Sequence, residues 1–315
     1  MRYFITGGAG FIGSNYVEHL FQNVEDLTGL TIYDKFTYAA NPRNYQEFMN
    51  DPRLQVIKGD ICDFGLLEES IAGHDYVIHF AAETHVDRSI QNGSEFVHTN
   101  VLGTFNVLEA SRRKGIKTVI HVSTDEVYGS LPEGSADENF PLMPNSPYAA
   151  SKASSDLIAR SFFMTYNLDV RITRCCNNYG KYQFPEKVIP VFINALVKGE
   201  KLPIYGDGSN VREWIHVSDH ALGLQVVLEN GWPGETYNIG SGLHLTNNEI
   251  AHLVMSAMNI NDGLKSYIKD RQGHDFRYSI DSRKILSLGF KHATDFERGL
   301  KKTVNWYSSN PKWWD

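Results

Sequence analysis

The amino-acid sequence predicts an α/β fold, a doubly wound parallel sheet with a smaller C-terminal subdomain set against it. Three observations predict it. Short apolar strands alternate with helical periodicity through residue 175, the pattern of a parallel sheet covered by helices on both faces. A glycine-rich turn joins the first strand to the first helix. Residues 118–129, Thr-Val-Ile-His-Val-Ser-Thr-Asp-Glu-Val-Tyr-Gly, run apolar and β-branched until they break at Ser123-Thr124-Asp125-Glu126. Such a run reads as a buried strand, and open α/β sheets bind ligands at the carboxyl ends of their strands.

Tyr3-Phe4-Ile5 is the first strand, followed by Thr6-Gly-Gly-Ala-Gly-Phe-Ile-Gly13 and then helical periodicity through Val17, Leu20 and Phe21. Gly8, Gly10 and Gly13 satisfy G-x-G-x-x-G, and Gly7, Gly10 and Gly13 satisfy G-x-x-G-x-x-G. The strand and helix on either side give this fingerprint its meaning, a tight turn that brings a pyrophosphate onto a helix N-terminus. A second strand, Leu30–Tyr33, ends at Asp34, close to the ~20 residues past the glycines at which a ribose-binding acid stands. A carboxylate there repels a 2′-phosphate and favours NAD over NADP; Lys35 and Arg43 are the cations that could blunt that preference. Leu54–Ile57 is a third strand leading to Asp60-Ile61. Asp60 fits either beside an adenine or as the cap of the helix near Phe64.

Tyr76–Ala82 is the fourth strand, its small Ala81 and Ala82 allowing close approach to a cofactor. Residues 95–113 predict one helix, with Phe96, Val97, Val101, Phe105 and Leu108 at helical spacing. The Pro/Gly/acidic stretch Gly129–Pro147 predicts a flap or lid margin, Ala149–Tyr166 a helix, and Asp169–Thr173 a sixth strand. From Arg174 the pattern changes to polar loops and short elements. The predicted division is 1–175 as a Rossmann-type domain, with 215–240 rejoining it, and 176–315 as the substrate-binding domain.

At 315 residues, 42% hydrophobic and 21% charged, the chain has the composition of a soluble globular protein. A net charge of −7 gives no support to nucleic-acid binding. No apolar run approaches the ~20 residues of a membrane span, and the start shows no signal-peptide pattern, so a cytoplasmic location is expected. Cys62, Cys175 and Cys176 lack metal-site spacing and read as reduced thiols. His79, His98 and His121 read as packed core or interface residues, with no metal site emerging.

Tyr148-Ala-Ala-Ser-Lys152 puts a phenol and an ammonium on one helix face. A nearby ammonium lowers a tyrosine pKa, so the phenolate can take a proton from a substrate hydroxyl. With the glycine turn and the polar strand tip, this is a catalytic constellation rather than a surface pair.

These motifs, together with Ala81-Ala-Glu-Thr-His-Val-Asp-Arg-Ser89, Asn177-Asn-Tyr-Gly180, Tyr182-Gln-Phe-Pro-Glu-Lys-Val-Ile-Pro190 and Arg271-x-Gly-His-Asp275, resemble the extended short-chain dehydrogenase/reductases. More narrowly they resemble the dTDP-glucose 4,6-dehydratases, nearly end to end, and Thr124-Asp125-Glu126 is the specific part. Thr84 replaces a usual Ser, and Lys181 and Gln272 depart from common residues.

The resemblance implies Thr124, Asp125, Glu126, Tyr148 and Lys152 as catalytic residues. Tyr148, helped by Lys152 and Thr124, would take the hexose C4 hydroxyl proton as hydride leaves C4. Glu126 would remove the C5 proton and Asp125 would protonate the departing C6 hydroxyl. Cofactor contacts are implied for Gly7, Gly10, Phe11, Ile12, Gly13, Asp34, Lys35, Thr37, Asp60, Ile61, Ala81, Ala82, Thr99, Tyr148, Lys152 and Asn178. Sugar and diphosphate contacts are implied for His85, Asn177, Asn178, Glu186, Lys187 and Val188. Arg212 and Arg271 suit phosphate oxygens, Asn247, His274 and Tyr278 complete a nucleotide pocket, and Pro203 and Tyr205 flank the base. A homodimer through helices 95–113 and 147–166 is also implied. The runners-up are a UDP-glucose 4,6-dehydratase and a nucleotide-sugar 4-epimerase, which needs neither Asp125 nor Glu126. A non-catalytic NAD-binding protein is the reading from another class; it would show a broken Tyr148, Lys152 or Thr124, and all three are intact.

Overall fold

The computed structural model describes residues 1–261, 263–270 and 273–313. Its first half is β1 (Arg2–Thr6), α1 (Phe11–Asn23), β2 (Gly29–Asp34), β3 (Leu54–Lys58), α2 (Phe64–Ile71), β4 (Tyr76–His79), α3 (Val86–Gln91), α4 (Gly93–Phe96), α5 (Thr104–Lys114), β5 (Thr118–Thr124), α6 (Pro147–Tyr166) and β6 (Val170–Cys175). Then come β7 (Asn177–Tyr179), α7 (Val188–Val197), β8 (Leu202–Tyr205), β9 (Val211–His216), α8 (Val217–Asn230), β10 (Thr236–Ile239), β11 (His244–Thr246), α9 (Asn247–Ala257), β12 (Lys265–Ile268), α10 (Arg283–Ser287) and α11 (Phe296–Ser309).

Seven strands form one sheet in the order β10-β6-β5-β4-β1-β2-β3, all parallel. Neighbouring residues of β1 face opposite sides: Tyr3 and Ile5 pack with Tyr16, Val17 and Leu20 of α1 and Leu224 and Val227 of α8. Phe4 packs with Leu67 of α2, Val107 and Leu108 of α5 and Phe162 of α6. Each such fully buried side chain contributes roughly 1.5–3 kcal/mol. A third core joins Ile189 and Phe192 of α7, Leu202 and Ile204 of β8, Ile250 and Val254 of α9 and Leu300 of α11. β10 lies beside β6 at the edge of the large sheet, with α8 packed on it.

Two expectations are corrected. The fourth strand ends at His79 rather than Ala82, and the Gly7 backbone packs close against Ala81, where a β-carbon would stand 2.7 Å from the Ala81 nitrogen. Residues 95–113 are not one α-helix: Val97–Gly103 is a π-helix between α4 and α5, which shifts the buried face partway along. As a result Val97 and Phe105 are exposed while Phe96 and Leu108 are buried. His79 and His121 are core residues, as expected, and His98 lies on the surface, where the interface half of that expectation would place it. The 129–147 stretch, expected as a flap or lid margin, is tied to distant residues. Arg277 donates to the carbonyls of Leu131 and Gly134 at 3.0 and 2.8 Å, and the Asn238 main-chain N–H donates to Glu138 Oε1 at 2.9 Å.

Candidate active site

A cavity of about 340 Å³ opens at the carboxyl ends of β1, β2, β4, β5 and β6, between the sheet and the segment 177–188. The glycine turn forms its floor. Gly7 has φ +71°, and a β-carbon there would stand 2.7 Å from the Ala81 nitrogen; one on Gly13 would stand 2.3 Å from the Gly7 carbonyl oxygen. Those two glycines let strand, turn and helix pack. Gly10 has open space beyond a 3.4 Å contact with Gly7 O. It precedes α1, which starts with no side-chain cap on its N–H groups, and Gly10, Phe11, Ile12 and Gly13 line the cavity. An uncapped helix start in a cleft suits an anionic pyrophosphate.

Asp34, at the end of β2, accepts from Ala9 N at 3.0 Å and Phe36 N at 2.8 Å. Burial pushes its pKa up, and those two N–H groups pull it down. Lys35 pairs with Asp60 at 2.8 Å, and Arg43 donates to the Lys312 carbonyl at 2.9 Å, so both nearby cations are engaged away from Asp34. Asp60 accepts from Cys62 N, and the α2 cap is Asp63, not Asp60. Thr37, Ile61, Ala81, Ala82 and Thr99 join Asp34, Lys35 and Asp60 along the cavity wall. These residues fit a dinucleotide with a free ribose diol.

β5 delivers the reacting groups. It is buried throughout, and a 3₁₀ turn over Asp125–Tyr128 follows it, capped by Thr124 Oγ1 accepting from Glu126 N at 3.3 Å. Thr124 Oγ1 donates to Asp125 Oδ1 at 3.2 Å, while Asp125 Oδ2, buried, finds no hydrogen-bond partner among the described residues. Burial first, then the neighbouring Glu126 and Glu213 charges, push the Asp125 pKa well above the carboxylate range. Burial beside like charge therefore favours the protonated carboxyl. Glu126, half-buried, lies 3.5 Å from the Tyr278 hydroxyl.

α6 brings Tyr148 and Lys152 to the same cavity, its start fixed by Ser146 Oγ accepting from Ala149 N. Lys152 Nζ donates to Val122 O at 2.8 Å, and burial brings its pKa down to about 8. The expected lowering of the Tyr148 pKa is not what this environment produces. Burial and the Glu126 charge push it well up, and a hydrogen bond with Thr124 opposes them.

The remaining sugar and nucleotide residues fall into two groups. Asn177, Asn178, Glu186, Lys187 and Val188 line the cavity. Glu186 lies 3.9 Å from His85 and 3.7 Å from Arg88, and Lys187 Nζ donates to Thr84 O at 3.1 Å. Pro203, Tyr205, Arg212, Asn247, His274 and Tyr278 are not in the wall of that cavity. Tyr205 is edge-on to His274 and 3.4 Å from Asp87, and Asn247 begins α9 with its N–H on Asn210 O. Arg212, expected on phosphate oxygens, is buried and donates to the carbonyls of Val211, Asp275 and Phe276, its guanidinium 4.3 Å from the Tyr278 ring centre. Arg271 and Gln272 lie outside the described residues. Glu83, Gln183, Phe184 and Trp214 are also in the wall, and Asp275 lies behind Tyr278; the sequence placed their stretches at the cleft without assigning these residues a contact. Glu83 follows directly on Ala82, Gln183, Phe184 and Asp275 lie within quoted motifs, and Trp214 comes from the strand β9.

Fold and site together define a class: a Rossmann-type protein of the short-chain dehydrogenase/reductase kind, with two added carboxylates where the chemistry would occur. A family model described as GDP-mannose 4,6 dehydratase matches residues 4–303. A dTDP-glucose 4,6-dehydratase of Streptomyces antibioticus is 49% identical over 100% of this chain and 95% of its own length. The structure of a dTDP-glucose 4,6-dehydratase from Streptomyces venezuelae, solved with NAD and dTDP bound, superposes with a TM-score of 0.98 at 50% identity, covering 100% of this chain and 99% of that one. A UDP-glucose 4-epimerase from Thermotoga maritima shares the fold at a TM-score of 0.91 but only 28% identity, over 99% and 100% of the two chains. The chain belongs to the dTDP-glucose 4,6-dehydratase family.

Proposed function

We propose that this protein is an NAD-dependent hydro-lyase that converts dTDP-glucose to dTDP-4-keto-6-deoxyglucose, a step of deoxysugar biosynthesis. One observation carries the reading: Thr124, Asp125 and Glu126 share one cavity with Tyr148, Lys152 and the glycine turn. NAD, when bound, supplies the acceptor for the C4 hydride, its return to C6 and a positive charge in that cavity. Tyr148 Oη would take the C4 hydroxyl proton once that positive charge offsets the burial and the Glu126 charge that hold its phenol protonated, with Thr124 beside it and Lys152 assisting from the next turn of α6. The ketone formed at C4 acidifies C5–H, which Glu126 then removes. Asp125 keeps a proton because it is buried beside like charges, and it delivers that proton to the departing C6 hydroxyl. A 4-epimerase uses the tyrosine and lysine alone and leaves both carboxylates without a task.

In this reading Gly7, Gly10, Phe11, Ile12, Gly13, Asp34, Thr37, Asp60, Ile61 and Thr99 hold the cofactor. Glu186, Lys187 and Asn178 hold the sugar and diphosphate. Residues 1–175 with 215–240 form the cofactor domain, and the rest of 176–315 the substrate domain; the pairing of β10 with β6 supports this. We also propose a cytoplasmic homodimer. Val97 is 56% exposed, Leu157 61% and Met164 62%, an apolar surface on the two helical segments that would pair. Among the described residues no helix is long and apolar enough to cross a membrane.

The test is incubation of purified protein with dTDP-glucose and no added NAD, following the absorbance that 4-keto sugars develop in alkali. Signal without added cofactor supports dehydration with retained, recycling NAD, and a parallel run with UDP-glucose ranks the two bases. Absence of signal even with NAD supplied would sink the reading.

A further inference from the structure

The Tyr278 hydroxyl has two carboxylates within reach and one hydrogen to give. Asp275 Oδ2 is 2.6 Å away and Glu126 Oε2 is 3.5 Å away. The short contact takes the hydrogen, since O–H···O bonds lie near 2.7 Å. Asp275 is itself fixed: its Oδ1 accepts from Asn145 Nδ2 at 2.7 Å, and its main-chain oxygen accepts from Arg212 at 2.9 Å and Asn210 at 3.3 Å. Arg212 also lies over the Tyr278 ring, so ring and carboxylate are held from both sides. Asp275 and Tyr278 are both buried. Burial and the two carboxylates keep the phenol protonated.

We propose, resting on the dehydratase reading, that Asp275 is a positioning residue for proton abstraction: by accepting the Tyr278 hydrogen it turns that hydroxyl's lone pair toward Glu126. A lone pair facing a carboxylate gives it no hydrogen bond, whereas the same lone pair accepts one from a protonated carboxyl. Glu126 is thus better held after it takes a proton than before. In the step concerned the C5–H bond breaks, its electron pair passes into the C4 carbonyl as an enolate, and the proton forms an O–H bond on Glu126. That new O–H points at Tyr278 Oη. An interaction made only once the proton moves lowers the barrier rather than tightening ground-state binding. Among the described residues, the charged and titratable groups that face Glu126 include Asp125 beside it in the chain, Tyr148 from α6 and Tyr278. Arg212 and Glu213 of β9 act on Asp125, and Arg212 and Asp275 on Tyr278.

The test compares wild type, D275A, Y278F and the double variant for kcat, KM, the acid limb of the kcat–pH profile, and deuterium uptake at C5 from D2O. In D275A the freed hydroxyl donates to the Glu126 carboxylate and weakens it as a base. The expected result is a fall in kcat and in C5 exchange of about tenfold, KM within about twofold, and an acid limb moved to lower pH. Y278F removes the lone pair and moves the limb the same way, and the double variant matches Y278F. Retention of NAD identifies folded preparations; if D275A does not fold, the limb of Y278F decides. An unmoved limb in Y278F, a D275A indistinguishable from wild type, or a D275A loss that persists undiminished in the Y278F background would overturn the proposal. Failure of the wild-type protein to convert dTDP-glucose would instead sink the underlying reading.

Discussion

Lys152 Nζ donates a 2.8 Å hydrogen bond to the main-chain oxygen of Val122, tying the helix that carries Tyr148 to the strand that ends in Thr124-Asp125-Glu126. The ammonium is buried, and burial lowers its pKa to about 8 from 10.5. An unfolded chain therefore binds more protons than the folded one between those values, and stability must rise with pH across that window.

This predicts a stability cost of Lys152 that is fully present below about pH 8 and relieved as the pH climbs to 10.5. K152M should lose dehydratase activity by at least ~100-fold yet gain on the order of 1–3 kcal/mol at pH 7. Its stability should show no rise from this group between pH 8 and 10.5. Denaturant unfolding at several pH values checks both; a K152M less stable than wild type at pH 7 would contradict the buried-charge account.

Asp125 is expected to act as an acid, so activity should fall as the pH rises through its elevated pKa, above the ordinary carboxylate range. D125N cannot deliver the proton and should lower water elimination by ~100-fold or more, while C5 exchange in D2O continues. Loss of exchange together with elimination would place Asp125 at the earlier step.

Asp34 accepts two main-chain hydrogen bonds and faces the cavity. D34N removes the charge that holds a ribose diol and repels a 2′-phosphate. NAD binding should weaken about tenfold, in line with a charge-assisted hydrogen bond worth ~1.5–3 kcal/mol, and the margin over NADP should narrow. Equal NAD affinity in a titration of D34N and wild type would remove Asp34 from the ribose site.

Leu157 and Met164 expose apolar surface on α6. L157D should weaken self-association by at least ~30-fold, the cost of an interface hot spot, and elute as a monomer at concentrations where wild type elutes as a dimer. A wild-type monomer at all concentrations would dismiss the dimer.

Much of this was legible in sequence because the information is local. β1, β2 and β5 are apolar runs closed by polar residues, and the glycine turn has its strand and helix beside it. The proposed catalytic residues lie on two short motifs. The π segment at Val97–Gly103 left no mark, since its apolar residues keep nearly the spacing of an α-helix. The anchoring of 129–147 was hidden for another reason: Glu138 meets Asn238 and Leu131 meets Arg277, partners at least 100 residues away. The Asp275–Tyr278–Glu126 contact was hidden in the same way. The Arg212 donors went to carbonyls because β9 runs beside residues 275–278, a pairing that no residue pattern announces.

In the proposed reaction, hydride leaves C4 and returns to C6 of the same sugar while Glu126 and Asp125 remove water between them. It is tested most directly with dTDP-glucose carrying deuterium at C4, the product being read by NMR. Deuterium at C6 of a 4-keto-6-deoxy product is the predicted result. Deuterium retained at C4 of dTDP-glucose and its 4-epimer, with no 6-deoxy product, would contradict the account and make the chain an epimerase.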